Sequence, residues 1–246
     1  MMRHRRGIPL PLFPFSALGA RCGRGRERVL SIRFIRSPGN AVETSENRKQ
    51  LRRRLRRARR HLDPGEHRRR STDLVTHLAR HPWFVYSDRI ALYLPNDGEV
   101  DLRPLAERAW AMHKTCYLPV IGGPGMRAMR FAPWGPETPM APNTYGIPEP
   151  VVRHQHLVPA WGLDLLLLPL VGFDRAGNRL GMGGGFYDQS LAYRTRRRVW
   201  NPPRLMGTAY AFQEVEALKA ESWDIPVAAV ATDAGVVRTG VESAAQ

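Results

Sequence analysis

The segment that most constrains this chain is LDLLLLPLV at 163–171. Its odd and even positions are both apolar, so as a strand it turns apolar side chains to both faces of a sheet. Such a strand needs cover on both sides, which a parallel sheet flanked by helices provides. It runs straight into GFDRAGNRLGMGGGFYD (172–188), a loop with glycines at 172, 177, 181, 183, 184 and 185, and a helix is expected from about Phe186.

The rest of the chain fits the same architecture. Leu51, Leu55, Ala58 and Leu62 mark a narrow apolar stripe on a helix from Asn47 to His61. Asp63-Pro64-Gly65-Glu66 starts a second helix, with Asp63 as cap, Pro64 in the first turn, Glu66 at the capping-box position, and Leu74, Val75 and Leu78 facing inward. RIALYL (89–94) reads as a strand ended by the turn cluster Pro95-Asn96-Asp97-Gly98. Asp101 can cap the following helix, which buries Leu102, Leu105, Ala106 and Ala109. TCYLPV (115–120), MRFAPW (129–134), RLMGTAYAF (204–212) and VAAVAT (227–232) complete the strands, with Gly- and Pro-rich loops at 122–125 and 133–150. Strands alternating with helices predict an α/β three-layer sandwich: a mostly parallel central sheet with helices on both faces. No internal repeat is visible.

Charge divides the chain unevenly. Residues 1–45 and 48–70 together hold more positive charge than the whole chain's net +16, so the remainder is about neutral. That is unlike a uniformly basic nucleic-acid binder. Residues 1–45 show no sustained period, and their apolar stretch IPLPLFPF is broken by prolines. They are expected to form a disordered basic extension, leaving a single catalytic domain over 46–240. No run approaches the roughly 18 apolar residues of a membrane span. The two cysteines, Cys22 and Cys116, make neither a disulfide framework nor a zinc site, which suits a reducing cytoplasm.

The glycine loop is the segment with chemistry in it. Glycines let backbone N–H groups approach phosphate oxygens, a helix N-terminus adds partial positive charge, and Arg179 can add a full one. The loop is neither a Walker A motif nor a dinucleotide fingerprint, so phosphate binding and a merely flexible turn both remain open on this ground. Asp188 can compensate the helix dipole or hold Mg²⁺.

R-L-G-M-G-G-G-F-Y-D at 179–188, preceded by G-F-D-x-x-G-N, resembles the signature of the 5-formyltetrahydrofolate cyclo-ligases. RKQLRRRLRRARRHLDPGE (48–66), LYLPNDGEVDL (92–102), NTYGIPEP (143–150) and WDIPVAAVAT (223–232) are similar to further segments of that family, in its order. The resemblance spans about 46–238 and implies ATP-driven cyclisation of 5-formyltetrahydrofolate to 5,10-methenyltetrahydrofolate, with Mg²⁺ and ATP, by a cytoplasmic monomer acting on folates that include polyglutamylated forms. It implies ATP contacts at Arg48, Lys49, Gln50, Leu51 and Arg52 and at Arg179, Leu180, Gly181, Met182, Gly183, Gly184, Gly185, Phe186 and Tyr187. Folate contacts fall on Leu94 and Glu99, with Met182–Phe186 shared, and metal positions on Asp188 and Asp224. No residue is assigned to covalent or acid–base catalysis. Basic residues that some members carry at positions 182 and 184 are Met182 and Gly184 here, so backbone amides or Arg179 are expected to compensate. Arg53, Arg56 and Arg57 are expected to face solvent or a polyglutamate tail.

The competing reading is a nucleic-acid-binding protein using the arginine-rich N-terminal region. It leaves the glycine loop and both aspartates without a role and lacks aromatics among the arginines to stack bases. The histidines show no metal-ligand spacing.

Overall fold

The computed structural model describes residues 47–121, 128–195 and 203–240. The expected extension over 1–45, Cys22 and the loop at 122–125 lie outside the described residues.

Among the described residues, five α-helices and eleven strands are formed. Helix α1 (Arg48–Arg60) is capped by Asn47, whose side chain accepts from Lys49 N, and α2 (Pro64–Arg80) by Asp63, which accepts from Gly65 N and Glu66 N. Glu66 turns forward to Arg70 at 2.7 Å and does not close a capping box. A single turn, α3 (Pro82–Val85), leads to β1 (Arg89–Ala91). Helix α4 (Arg103–Ala111) follows, and here the expectation is corrected: the N-cap is Leu102, with no side-chain cap, and Asp101 lies one residue before it, its Oδ1 accepting from Arg103 N at 3.0 Å. Then come β2 (Thr115–Val120), β3 (Arg130–Trp134), the small hairpin β4 (Met140–Pro142) and β5 (Pro148–Pro150), and β6 (Leu165–Pro169). The glycine-rich segment is not wholly a loop. It begins as a hairpin, β7 (Gly172–Phe173) with β8 (Arg179–Leu180), before α5 (Phe186–Leu191). Strands β9 (Arg204–Thr208), β10 (Ala229–Thr232) and β11 (Gly235–Arg238) close the chain.

The main sheet has the order β11-β10-β9-β6-β1-β2-β3. Its five inner strands are parallel, and antiparallel β3 and β11 form its edges. The doubly apolar run is therefore the middle strand, as its pattern requires. Leu165 and Leu167 face a core built with α2 and α4, while Leu166 and Leu168 face a second core with Phe173, Leu191 and Val227. The sheet is covered on both sides as expected, but unequally. The long helices share one face, and the other is roofed by six-residue α5, short 3₁₀ turns and loops.

Helix α1 packs across the end of the sheet through Leu51 and Leu55 on Val171, Leu180 and Leu218. Gly172 permits this approach, because a Cβ there would lie 2.7 Å from Leu55 Cδ1. The expected stripe is corrected at one position. Ala58 is exposed, and the buried face continues from Leu51 and Leu55 to Arg59. Residues four apart share a helix face, and the ion pairs described below are what make an arginine tolerable there.

Candidate active site

The chain order along the sheet reverses between β1 and β6: from β1 the chain steps outward to β2, then returns to β6 and on to β9. Strand ends diverge at such a switch point and leave a crevice beyond their C-terminal ends. A cavity of about 720 Å³ opens there, lined by Tyr93 and Leu94 after β1, Leu118 and Pro119 of β2, and Leu168 and Pro169 of β6. The loops beyond these strands supply its polar groups.

One end is cationic. Arg48 and Arg52 are one helical turn apart on α1, and both line the cavity. Lys49 and Gln50 are exposed and do not line it, while Leu51 and Leu180 lie in the small core under α1. Of the five α1 positions implied as nucleotide contacts, Arg48 and Arg52 are the two that line the cavity. Arg52 Nε donates to Gly181 O at 2.7 Å, and its guanidinium lies 3.8 Å from where a Cβ on Gly183 would stand. No carboxylate among the described residues pairs with Arg52. Burial first, then Arg48 and Arg56, hold its pKa below the usual guanidinium value.

The loop under Arg52 is shaped by Gly183 at φ +105° and Gly185 at φ +67°, conformations open to glycine at little cost. Among the described residues no acceptor takes the N–H of Gly183, Gly184 or Gly185. Arg179, expected to add positive charge beside a phosphate, lines the cavity at 7% exposure with two donors engaged: Nε donates to Ile225 O at 2.8 Å and Nη2 to Asp188 Oδ1. Its guanidinium orients Asp188, and Arg52 takes the position over the loop.

Asp188 and Asp224 both line the cavity. Asp188 Oδ1 also accepts from Ile225 N at 3.2 Å, and Asp224 Oδ2 accepts from Arg48 at 2.9 Å and Glu221 N at 3.0 Å. In each carboxylate the second oxygen has no described partner. No cluster of three or more acidic, histidine or cysteine residues occurs among the described residues. Two carboxylates with one free oxygen each do not make an all-protein cage. They fit Mg²⁺ in its usual setting, completed by substrate phosphates and water.

The other end is anionic and otherwise apolar. Asn96-Asp97-Gly98-Glu99 forms a type I′ turn, with φ +52° at Asp97, φ +75° at Gly98, and Glu99 N bonded to Asn96 O at 3.0 Å. It aims Glu99 into the cavity wall, where the residue is 9% exposed and Oε2 accepts from Asn96 N at 3.1 Å. Burial raises the Glu99 pKa, and Arg59 opposes the rise. Leu94 is both cavity wall and core neighbour. Met182, Gly183, Gly184, Gly185, Phe186, Tyr187 and Asp188 also line the cavity.

The sequence reading missed the rim. Asn143 Nδ2 donates to Glu149 Oε1 at 2.7 Å, Ile121 N donates to the same oxygen at 2.9 Å, and Tyr145 meets the Phe186 ring edge-on. This closes the β4–β5 hairpin over the cavity, beside exposed Trp223. NTYGIPEP carried the signal as a motif without assigned residues.

The arginine-rich face is also less free than its composition suggests. Arg48 pairs with Asp224, Arg56 and Arg59 with Asp97, and Arg70 with Glu66 and Asp233. Arg56 thus does not simply face solvent, whereas Arg53 and Arg57 do. No helix among the described residues is long and apolar enough to cross a membrane.

The sequence profile described as the 5-formyltetrahydrofolate cyclo-ligase family matches residues 44–233. The 5-formyltetrahydrofolate cyclo-ligase of Haemophilus influenzae is 36% identical over 183 residues, 74% of this chain and 96% of the relative. That of Mus musculus is 31% identical over 180 residues, 71% of this chain and 86% of the relative. Among solved structures, the 5,10-methenyltetrahydrofolate synthetase of Aquifex aeolicus superposes with a TM-score of 0.66 at 33% identity, covering 78% of this chain and 92% of that one.

Proposed function

The chain belongs to the 5-formyltetrahydrofolate cyclo-ligase family, and from that premise we propose that it closes 5-formyltetrahydrofolate to 5,10-methenyltetrahydrofolate at the expense of MgATP, in the cytoplasm. It is a ligase of folate one-carbon metabolism. The observation that carries the site assignment is the polarity of one cavity. Among the described residues, Arg52 has no carboxylate partner and lies beside Gly183, the N–H groups of Gly183, Gly184 and Gly185 meet no acceptor, and the buried carboxylate of Glu99 lines the same cavity.

The chemistry needs that polarity. The formyl oxygen on N5 attacks the γ-phosphorus, ADP leaves, and the formyl carbon becomes an iminium bearing a phosphate ester. N10 attacks that carbon and gives up its proton to solvent, and phosphate departs with the C–O bond electrons to leave the methenyl bridge. Phosphate is a good leaving group where an oxide is not. The protein positions two ligands and neutralises charge. Arg52 and the glycine amides hold the phosphates, and Arg48, paired with Asp224, stands one helical turn away. Glu99 accepts hydrogen bonds from the folate. Asp188, steadied by Arg179, and Asp224 would hold Mg²⁺, which shields phosphate charge. Tyr145 and Phe186 limit the access of water from the rim.

We assign no part in catalysis to residues 1–45, so a chain beginning at Glu46 is expected to keep its full kcat/KM. The direct test is incubation with 5-formyltetrahydrofolate and MgATP, following the near-ultraviolet absorbance of the methenyl product. Absorbance that fails to rise, or that rises without ATP, refutes the proposal.

A further inference from the structure

Arg59 is 1% exposed, and its guanidinium lies in the protein interior. A buried fork of this kind needs partners for its N–H groups, and three separate segments provide them. Nε donates to Asp97 O at 2.7 Å and Nη2 to Asp97 Oδ2 at 2.8 Å. Nη1 reaches Leu170 O, just past β6, at 3.4 Å. Nη2 also lies 3.4 Å from Glu99 Oε1 and 3.7 Å from Met182 Sδ. Glu99 and Met182 line the cavity, and Arg59 stands directly behind them. Asp97 alone would suffice to tie down the end of α1. The further reach to Glu99 gives this arginine a second task.

We propose that Arg59 is a positioning residue for the reaction, fixing the Glu99 carboxylate in the cavity wall so that it meets the folate. The proposal rests on the reading of Glu99 as a folate contact. The charged and titratable groups around Glu99 are Arg56 on α1, Asp97 in the turn, Tyr93 after β1, Tyr187 on α5 and His67 on α2, whose Nε2 is 2.9 Å from Glu99 O. Arg56 is half-exposed and engaged by Asp97 through both Nε and Nη2, so it cannot take over. Without Arg59, Glu99 is a buried carboxylate beside a second carboxylate, and both influences raise its pKa further. Folate binding needs the ionised acceptor and is lost as pH falls through that pKa. Raising it therefore moves the acid limb of kcat/KM for folate to higher pH.

The test uses the full chain with Arg59→Met, Glu99→Gln and the double variant, measuring KM for each substrate and the pH profile for folate. Arg59→Met is expected to raise folate KM by about tenfold or more, the effect of losing a charge-assisted contact. ATP KM should stay within about twofold, and the acid limb should rise by about one pH unit, the shift an adjacent opposite charge produces. Added to Glu99→Gln, the same change should cost folate KM less than about twofold more, because coupled residues are not additive. An unmoved acid limb, equal losses in both KM values, or full additivity overturns the proposal while leaving Glu99 as a folate contact. If Glu99→Gln alone leaves folate KM unchanged, the folate reading of Glu99 and this proposal fall together. Should Arg59→Met not fold, Arg59→Lys carries the test. A point charge cannot span Asp97 and Glu99, so a smaller upward move of the limb is expected, and an unmoved limb again overturns it.

Discussion

Replacing Arg52 with methionine separates a ligand-binding arginine from a structural one, because stability and binding respond differently. The change removes the 2.7 Å bond from Nε to Gly181 O, worth about 0.5–1.5 kcal/mol. It also removes a cation that has Arg48 four residues before it and Arg56 four residues after it on the same helix face. Each like-charge pair at that spacing costs about 0.2–0.5 kcal/mol, so relieving both recovers about as much as is lost. Net stability should move by less than about 1 kcal/mol. Nucleotide binding has no such offset. The loss of a charged hydrogen bond to phosphate is expected to cost about 1.5–3 kcal/mol, or about 10- to 150-fold in Kd. Urea unfolding reads the first quantity, and calorimetric titration with Mg²⁺ and a non-hydrolysable ATP analogue reads the second. A variant that unfolds at clearly lower urea yet binds nucleotide as tightly as wild type would show that Arg52 only braces the loop.

Glu99→Gln is expected to weaken folate binding by about 1.5–3 kcal/mol with ATP affinity little changed, and a folate KM within twofold of wild type at unchanged kcat refutes that role. Asp188→Asn and Asp224→Asn should each raise the Mg²⁺ concentration needed for half-maximal activity; a Mg²⁺ titration like that of wild type removes the residue in question from the metal site. Gly172→Ala places a methyl 2.7 Å from Leu55 Cδ1 and should lower stability by about 1–3 kcal/mol in a urea melt. An unchanged melt would mean that α1 can shift without cost.

How far the chain could be read depended on where each residue's partner lies. A central strand was legible at 163–171 because its two-sided apolarity is a local pattern that the inner strands of a covered sheet satisfy and its edges do not. The cap at Asp63, and the turn that aims Glu99, were legible because they are closed by residues within three positions. Arg59 was not, since its place in the apolar stripe depends on Asp97, 38 residues away, which no periodicity registers. Arg179 looked free for the same reason, its commitment to Asp188 and Ile225 being made only when the loop folds back. Strands β4, β5 and β11 escaped notice because they have at most four residues each and take their identity from the partner across the hairpin. The cavity was legible in its ends, through the glycine loop and the acidic turn, but not in its rim.

Helix α1 leaves the ribosome early yet belongs to the last structure formed. Arg48 is tied to Asp224 across 176 residues, and the apolar stripe of α1 rests on Val171, Leu180 and Leu218. Contacts of such separation carry a large loop-closure cost and form late. During synthesis the helix is therefore a cationic amphipathic segment whose apolar face has nothing to cover it. The neighbouring sheet strands can pair meanwhile, as β1 and β2 do around α4. The Arg48–Asp224 corner of the cavity cannot exist until nearly the whole chain has emerged, so a chain truncated before Asp224 is expected to gain no stability from nucleotide.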